Sequence, residues 1–195
     1  MIKGIIFDLD GTLVRLPIRY DLIQNNLKKI FDTQKEFKPL FTDIVDFANG
    51  DSIKIKKAFE SICEEENKAV ENLEIIENAF DVLQFFKSKQ LKLGLVTLQC
   101  RKAVEKVLLK FYQLNVFSSV ISRDESYDRK EQIEKTLEKI SLLPDEVIIV
   151  GDRIHDVVSA KKVGCRAILV NREKSKQIDV ETIEKLSNLK KISLS

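Results

Sequence analysis

Three short runs of apolar residues, "IKGIIF" (2–7), "LKLGLVT" (91–97) and "EVIIVG" (146–151), lack the polar alternation of a half-exposed strand. Such runs predict parallel strands buried on both faces. "SSVIS" (118–122) and "AILV" (167–170) predict two more. Between the runs, apolar residues recur at steps of three and four: Ala79, Val82, Leu83 and Phe86, then Val104, Val107, Leu108 and Phe111, then Ile133, Leu137 and Ile140. That spacing predicts helices with one buried face. Strands alternating with helices imply right-handed crossovers, so the predicted fold class is α/β with a doubly wound, mainly parallel sheet.

Residues 15–78 break this rhythm. The segment offers no convincing strand, but "IRYDLIQNNLKKIF" and "IKIKKAFESICEEENKAVENLEII" carry apolar residues at helical spacing. "FANGDS" (47–52) reads as a turn with a helix start at Asp51 or Ser52. The pattern predicts an all-helical lobe (15–78) inserted into a core formed by 1–14 and 79–195. Phe31, Phe37, Phe41, Phe47 and Phe59 read as that lobe's own core. The tail from about 178 predicts a helix over "VETIEKLSNL".

Composition narrows the partners. Lys+Arg total 33 against Asp+Glu 31, so no global field selects nucleic acid or an anionic membrane, and any bound anion must be recognised locally. No run approaches the ~18 apolar residues of a membrane span. The three cysteines, Cys63, Cys100 and Cys165, show no CxxC spacing of a structural zinc site and fit a reducing cytosol. The expectation is a cytoplasmic protein; its oligomeric state stays open.

The acids change the picture most. The first predicted strand runs into "DLDGT" (8–12), the second into Thr97, and the third into "GDRIHD" (151–156). In an open parallel sheet, functional groups collect at the carboxyl ends of the strands. If these three strands are neighbours, Asp8, Asp10, Asp152, Asp156 and the Thr97 hydroxyl converge, with Lys130 on the segment leading to the helix before the third strand. Clustered acids raise each other's pKa, and a hard divalent cation resolves the conflict. With no His pair or Cys set in view, magnesium fits better than zinc. A metal, a lysine and a hydroxyl around a carboxylate form a pocket for phosphate, where one carboxylate can attack phosphorus and a second can move protons.

At this point the chain resembles the haloacid dehalogenase-like hydrolase superfamily, in its phosphatase branch with an inserted helical cap. "DLDGT" (8–12) is similar to its first motif, "LGLVT" (93–97) to the second, Lys130 in "SYDRKEQ" to the third and "VGDRIHDV" (150–157) to the fourth. The resemblance implies that Asp8 is the nucleophile and Asp10 the general acid/base. It implies that Thr97 and Lys130 hold phosphoryl oxygens. Asp152 and Asp156 would bind Mg2+ with Asp8 and the main-chain carbonyl of Asp10, Asp156 directly or through water. Relatives often carry proline after the third-motif lysine and Asn after the second-motif hydroxyl, whereas here Glu131 and Leu98-Gln99 follow. His155 reads as a loop residue, because Asp10 already fills the acid/base role. The function this implies is a magnesium-dependent phosphatase acting on a small phosphorylated metabolite through an aspartyl-phosphate. A phosphomutase and a non-catalytic phosphate- or partner-binding module are the alternatives, and the substrate is left open.

Overall fold

The computed structural model describes residues 1–110, 115–170 and 180–194. The chain divides into two compact units, Met1–Arg15 with Glu74–Ser195, and Leu16–Leu73.

The larger unit is built on strands β1 (Gly4–Asp8), β4 (Lys92–Val96), β5 (Ser119–Ile121), β6 (Val147–Gly151), β7 (Arg166–Val170) and β8 (Glu181–Ile183), in the order β5-β4-β1-β6-β7-β8. Every pairing in this sheet is parallel. The strand β1 lies between β4 and β6, at the point where the winding reverses. Side chains on both faces of β1 are buried: Ile6 joins Val96, Ile149, Ile133, Leu137 and Val157 in one core cluster, while Ile5 and Phe7 are at most 1% exposed. Each such apolar side chain contributes roughly 1.5–3 kcal/mol on burial, which offsets holding a carboxylate at the strand's end.

Helices α4 (Ala79–Ser88), α5 (Arg101–Lys110) and α6 (Arg129–Ile140) lie where the apolar spacing predicts them, and α7 (Ile154–Val163), which that spacing does not mark, follows β6; Phe111 lies outside the described residues. Gly94 is required by close packing, since a Cβ there would sit 2.5 Å from Thr136 Cγ2 and 3.0 Å from Ile6 Cγ1. Beyond β1 the backbone folds back sharply, with the Leu9 carbonyl accepting from the amides of Thr12, Leu13 and Val14. The chain then enters β2 (Val14–Arg15), which pairs antiparallel with β3 (Glu74–Ile75). This ribbon differs from the strand-free reading of 15–78 and makes the helical unit shorter. Two-residue strands carry too little alternation to register in a sequence pattern. The predicted tail helix is also corrected: 181–183 form β8, and Leu186–Lys191 form a 3-10 helix that buries Leu186 and Leu189. Pairing with the edge of β7 outweighs helix propensity there.

The smaller unit contains α1 (Tyr20–Phe31), α2 (Leu40–Ala48) and α3 (Ser52–Ala69). Asp51 caps α3, its Oδ1 accepting from the amides of Ile53 and Lys54 at 3.0 Å each. Phe37 is buried with Ile23, Leu27, Ile44, Ala58 and Ile62, and Phe31, Phe41, Phe47 and Phe59 pack against them as this unit's core.

Candidate active site

Register fixes the site. Asp8 lies level with Val96, and Phe7 with Val150, so Thr97 and Asp152 emerge one step beyond their strands on either side of Asp8. Asp8 is 6% exposed and Asp156 3% exposed, while Asp152 is half-buried. Carboxylate oxygens of Asp8, Asp152 and Asp156 all lie within 4.8 Å of one another. Asp10 has left β1 and forms an isolated bridge with Val14 at the fold-back.

Two glycines make this convergence sterically feasible. Gly11 has φ +92°, and a Cβ there would stand 2.1 Å from Asp152 Oδ2. A Cβ on Gly151 would stand 2.4 Å from Asp156 Oδ2. Asp156 sits in the first turn of α7, where its Oδ2 accepts the Arg153 amide at 3.2 Å and completes the helix N-terminus. Its Oδ1 lies 3.0 Å from Arg129 Nε, at ion-pair distance but out of hydrogen-bond alignment.

Arg129 is the residue that reading for a lysine misses. It opens α6, capped by the Asp128 carboxylate on the Glu131 amide, and is 5% exposed. Its Nη2 donates to Asp8 Oδ1 at 2.6 Å, and its Nη1 to Gln132 Oε1 at 3.1 Å. The predicted phosphate-holding Lys130 instead points outward, its side chain 45% exposed and paired with Glu134 at 2.8 Å. The structure thus brings Asp8, Asp152, Asp156 and Arg129 together and leaves Lys130 on the surface of α6.

Thr97 is fully buried at the exit of β4. Its hydroxyl donates to Gln99 Oε1, its amide to the Ile121 carbonyl at 3.0 Å, and its carbonyl accepts from Gln132 Nε2 at 2.7 Å. Gln99, next to the Leu98 that departs from the family pattern, is therefore a second residue of this edge that the sequence reading left without a role. His155 is exposed on α7.

Electrostatics mark the cluster as short of positive charge. Burial pushes the Asp8 carboxyl up to about 8; Arg129 works against this, while Asp156, Asp152 and Asp10 add to it. Burial also raises Asp152, with Arg153 opposing and Asp156 reinforcing the shift. Asp152 Oδ1 is buried without a hydrogen-bond partner among the described residues. An all-oxygen set with an unsatisfied buried carboxylate oxygen suits a hard divalent cation. Such an arrangement can hold a cation against Asp8 while Arg129 neutralises one of its oxygens, leaving the carboxylate able to attack an electrophile.

The chain matches the family model for haloacid dehalogenase-like hydrolases over residues 5–170. It is 27% identical over 184 residues to the pyrophosphatase PpaX of Bacillus cereus, covering 87% of this chain and 83% of the relative. It is likewise 27% identical to the putative pyrophosphatase PpaX of Clostridium perfringens, covering 85% and 82%. Among solved structures, a predicted phosphatase from Clostridium acetobutylicum superposes with a TM-score of 0.77 at 22% identity over 98% of both chains, and shares the fold. The family match takes in β4 to β7, all but the first residue of β1 and every acid of the cluster: the chain belongs to the haloacid dehalogenase-like hydrolases.

Proposed function

We propose that this chain is a magnesium-dependent phosphohydrolase that works through a phosphorylated Asp8. The carrying observation is the convergence of Asp8, Asp152 and Asp156 within 4.8 Å, with Arg129 bonded to Asp8. Asp8 attacks phosphorus, the bond to the leaving oxygen breaks, and Asp10 supplies the proton to that oxygen. Asp10 then takes a proton from the water that attacks the aspartyl-phosphate, releasing orthophosphate and restoring Asp8. Arg129, not Lys130, holds a phosphoryl oxygen beside Asp8, and Thr97 holds another from the exit of the neighbouring strand β4. Bound by Asp8, Asp152 and Asp156, Mg2+ would supply charge neutralisation for the transferring group.

The substrate is a small phosphorylated metabolite, and because the relatives are named pyrophosphatases, pyrophosphate joins the first panel. The test is phosphate release from para-nitrophenyl phosphate, pyrophosphate, and acid and sugar phosphates, with and without Mg2+, comparing wild type with Asp8→Asn. Metal-dependent release falling by several orders of magnitude in the variant supports the reading. Release that survives in Asp8→Asn refutes it.

A further inference from the structure

Gln132 lies one turn beyond Arg129 on α6 and is fully buried. Its amide is engaged at both ends. Nε2 donates to the carbonyl oxygens of Thr97 and Ser126, each at 2.7 Å. Both partners can only accept, so that end of the amide is the NH2 group, and Oε1 is left to accept from Arg129 Nη1 at 3.1 Å. One side chain therefore ties together the exit of β4, the loop before α6 and the guanidinium that rests on Asp8. A guanidinium is planar, so fixing Nη1 fixes the direction in which Nη2 points. The neighbours Ile133, Leu137 and Ile140 show that this face of α6 packs as apolar core, where a leucine or methionine would fill the space without an amide to satisfy.

We infer that Gln132 is a positioning residue for phosphoryl transfer, acting through Arg129 to hold the guanidinium in fixed relation to Asp8. The inference rests on the reading of Asp8 as nucleophile. Its competitor is a purely structural role, in which Gln132 only anchors the Ser126 loop.

A double-mutant cycle separates the two, using Gln132→Met, Arg129→Lys and their combination with Mg2+ and the best substrate of the panel. Gln132→Met keeps the length of the side chain and removes all three bonds. Positioning predicts that it lowers kcat by about 30-fold or more with KM changed less than about threefold, since a misaimed group loses rate rather than uniform binding. In the Arg129→Lys background the same change should cost less than about threefold, because the group it aims has gone. Equal factors in both backgrounds, or an unchanged kcat in Gln132→Met, overturn the inference. If Gln132→Met does not fold, Gln132→Asn, which keeps the amide one methylene short, enters the same cycle. Absence of turnover in the wild type counts against the functional reading instead; the cycle is then read from the melting shift given by Mg2+ with beryllium fluoride. Additive shifts there overturn the positioning role, and no shift in the wild type overturns both.

Discussion

Arg129→Met in magnesium-free protein is the most direct probe of the acidic cluster. The substitution keeps an apolar stem and removes the guanidinium from Asp8, at 2.6 Å, and from Asp156, at 3.0 Å. Breaking a buried ion pair costs about 3–5 kcal/mol when the remaining charge has no outlet. Asp8 has one, because its carboxyl is already pushed up to about 8 and takes a proton below that pH. Near pH 6 the cost therefore falls towards the roughly 1–3 kcal/mol of an unsatisfied buried polar group. Near pH 9, where Asp8 of the wild type is ionised against Arg129, the variant loses that pair and the cost rises towards the ion-pair figure. For a chain of this length each kcal/mol moves the melting temperature by about 2–4 °C. Calorimetry in EDTA should show a drop of roughly 2–12 °C at the lower pH and roughly 6–20 °C at the higher.

Excess Mg2+ adds a second arm to that experiment. A cation that binds only the folded state at a hundredfold excess over Kd contributes about 2.7 kcal/mol. Without Arg129 competing for the oxygens of Asp8 and Asp156, the Mg2+ increment should be larger in the variant than in the wild type. Equal melting losses at both pH values, or a Mg2+ increment no larger in the variant, would refute the picture of Arg129 as counter-ion to the clustered acids.

The same cluster sets the pH dependence of wild-type stability. Asp8 rises from 3.8 to about 8 on folding, so the folded state binds the extra proton, and this contribution is full below about pH 4 and lost as pH rises through 8; denaturant titrations should show the decline in EDTA and a flatter profile with Mg2+. Lys130→Ala should leave kcat/KM within about twofold, because its ammonium is exposed and paired with Glu134, whereas Arg129→Lys should cost about a hundredfold or more through loss of the fixed fork. Gly11→Ala and Gly94→Ala should separate site from scaffold. The first forces a Cβ to 2.1 Å from Asp152 Oδ2 at φ +92° and should abolish Mg2+ binding by calorimetry. The second presses on Thr136 and Ile6 and should lower stability by about 1–3 kcal/mol while the remaining folded protein keeps its Mg2+ affinity.

Strands buried on both faces, followed at once by acids, left a clear imprint in the sequence. The runs ending at Asp8, Thr97 and Gly151 mark the edge of the sheet because nothing else accounts for carboxylates beside Ile-Ile-Phe and Ile-Ile-Val. Helices α1 and α3 were legible because apolar residues recur at helical spacing in "IRYDLIQNNLKKIF" and "IKIKKAFESICEEENKAVENLEII". The features that escaped are those set by spatial neighbours. The approach of Asp152 to Gly11 depends on a crossover of some 140 residues, the strand at 181–183 on the free edge of β7, and the role of Gln99 on the buried turn after β4.

The sequence reading names Lys130 where the structure sets Arg129 against Asp8, and this one-position difference has a geometric cause. Successive helical residues are about 100° apart. Centred on Ile133, Leu137 and Ile140 alone, the buried face of α6 points almost midway between Arg129 and Lys130, each about 50° off, so apolar spacing cannot choose between them. Gln132 and Thr136 are also fully buried, and including them turns the centre to within about 15° of Arg129 and leaves Lys130 about 90° away. The choice of cation is thus made by buried polar residues, which a hydrophobic pattern counts as surface. Arg129 can sit inward because its nitrogens meet Asp8, Asp156 and Gln132 there, where an ammonium would offer no planar fork to the same three partners. The amide that hides the helix phase in the sequence is the one that holds the guanidinium in the structure.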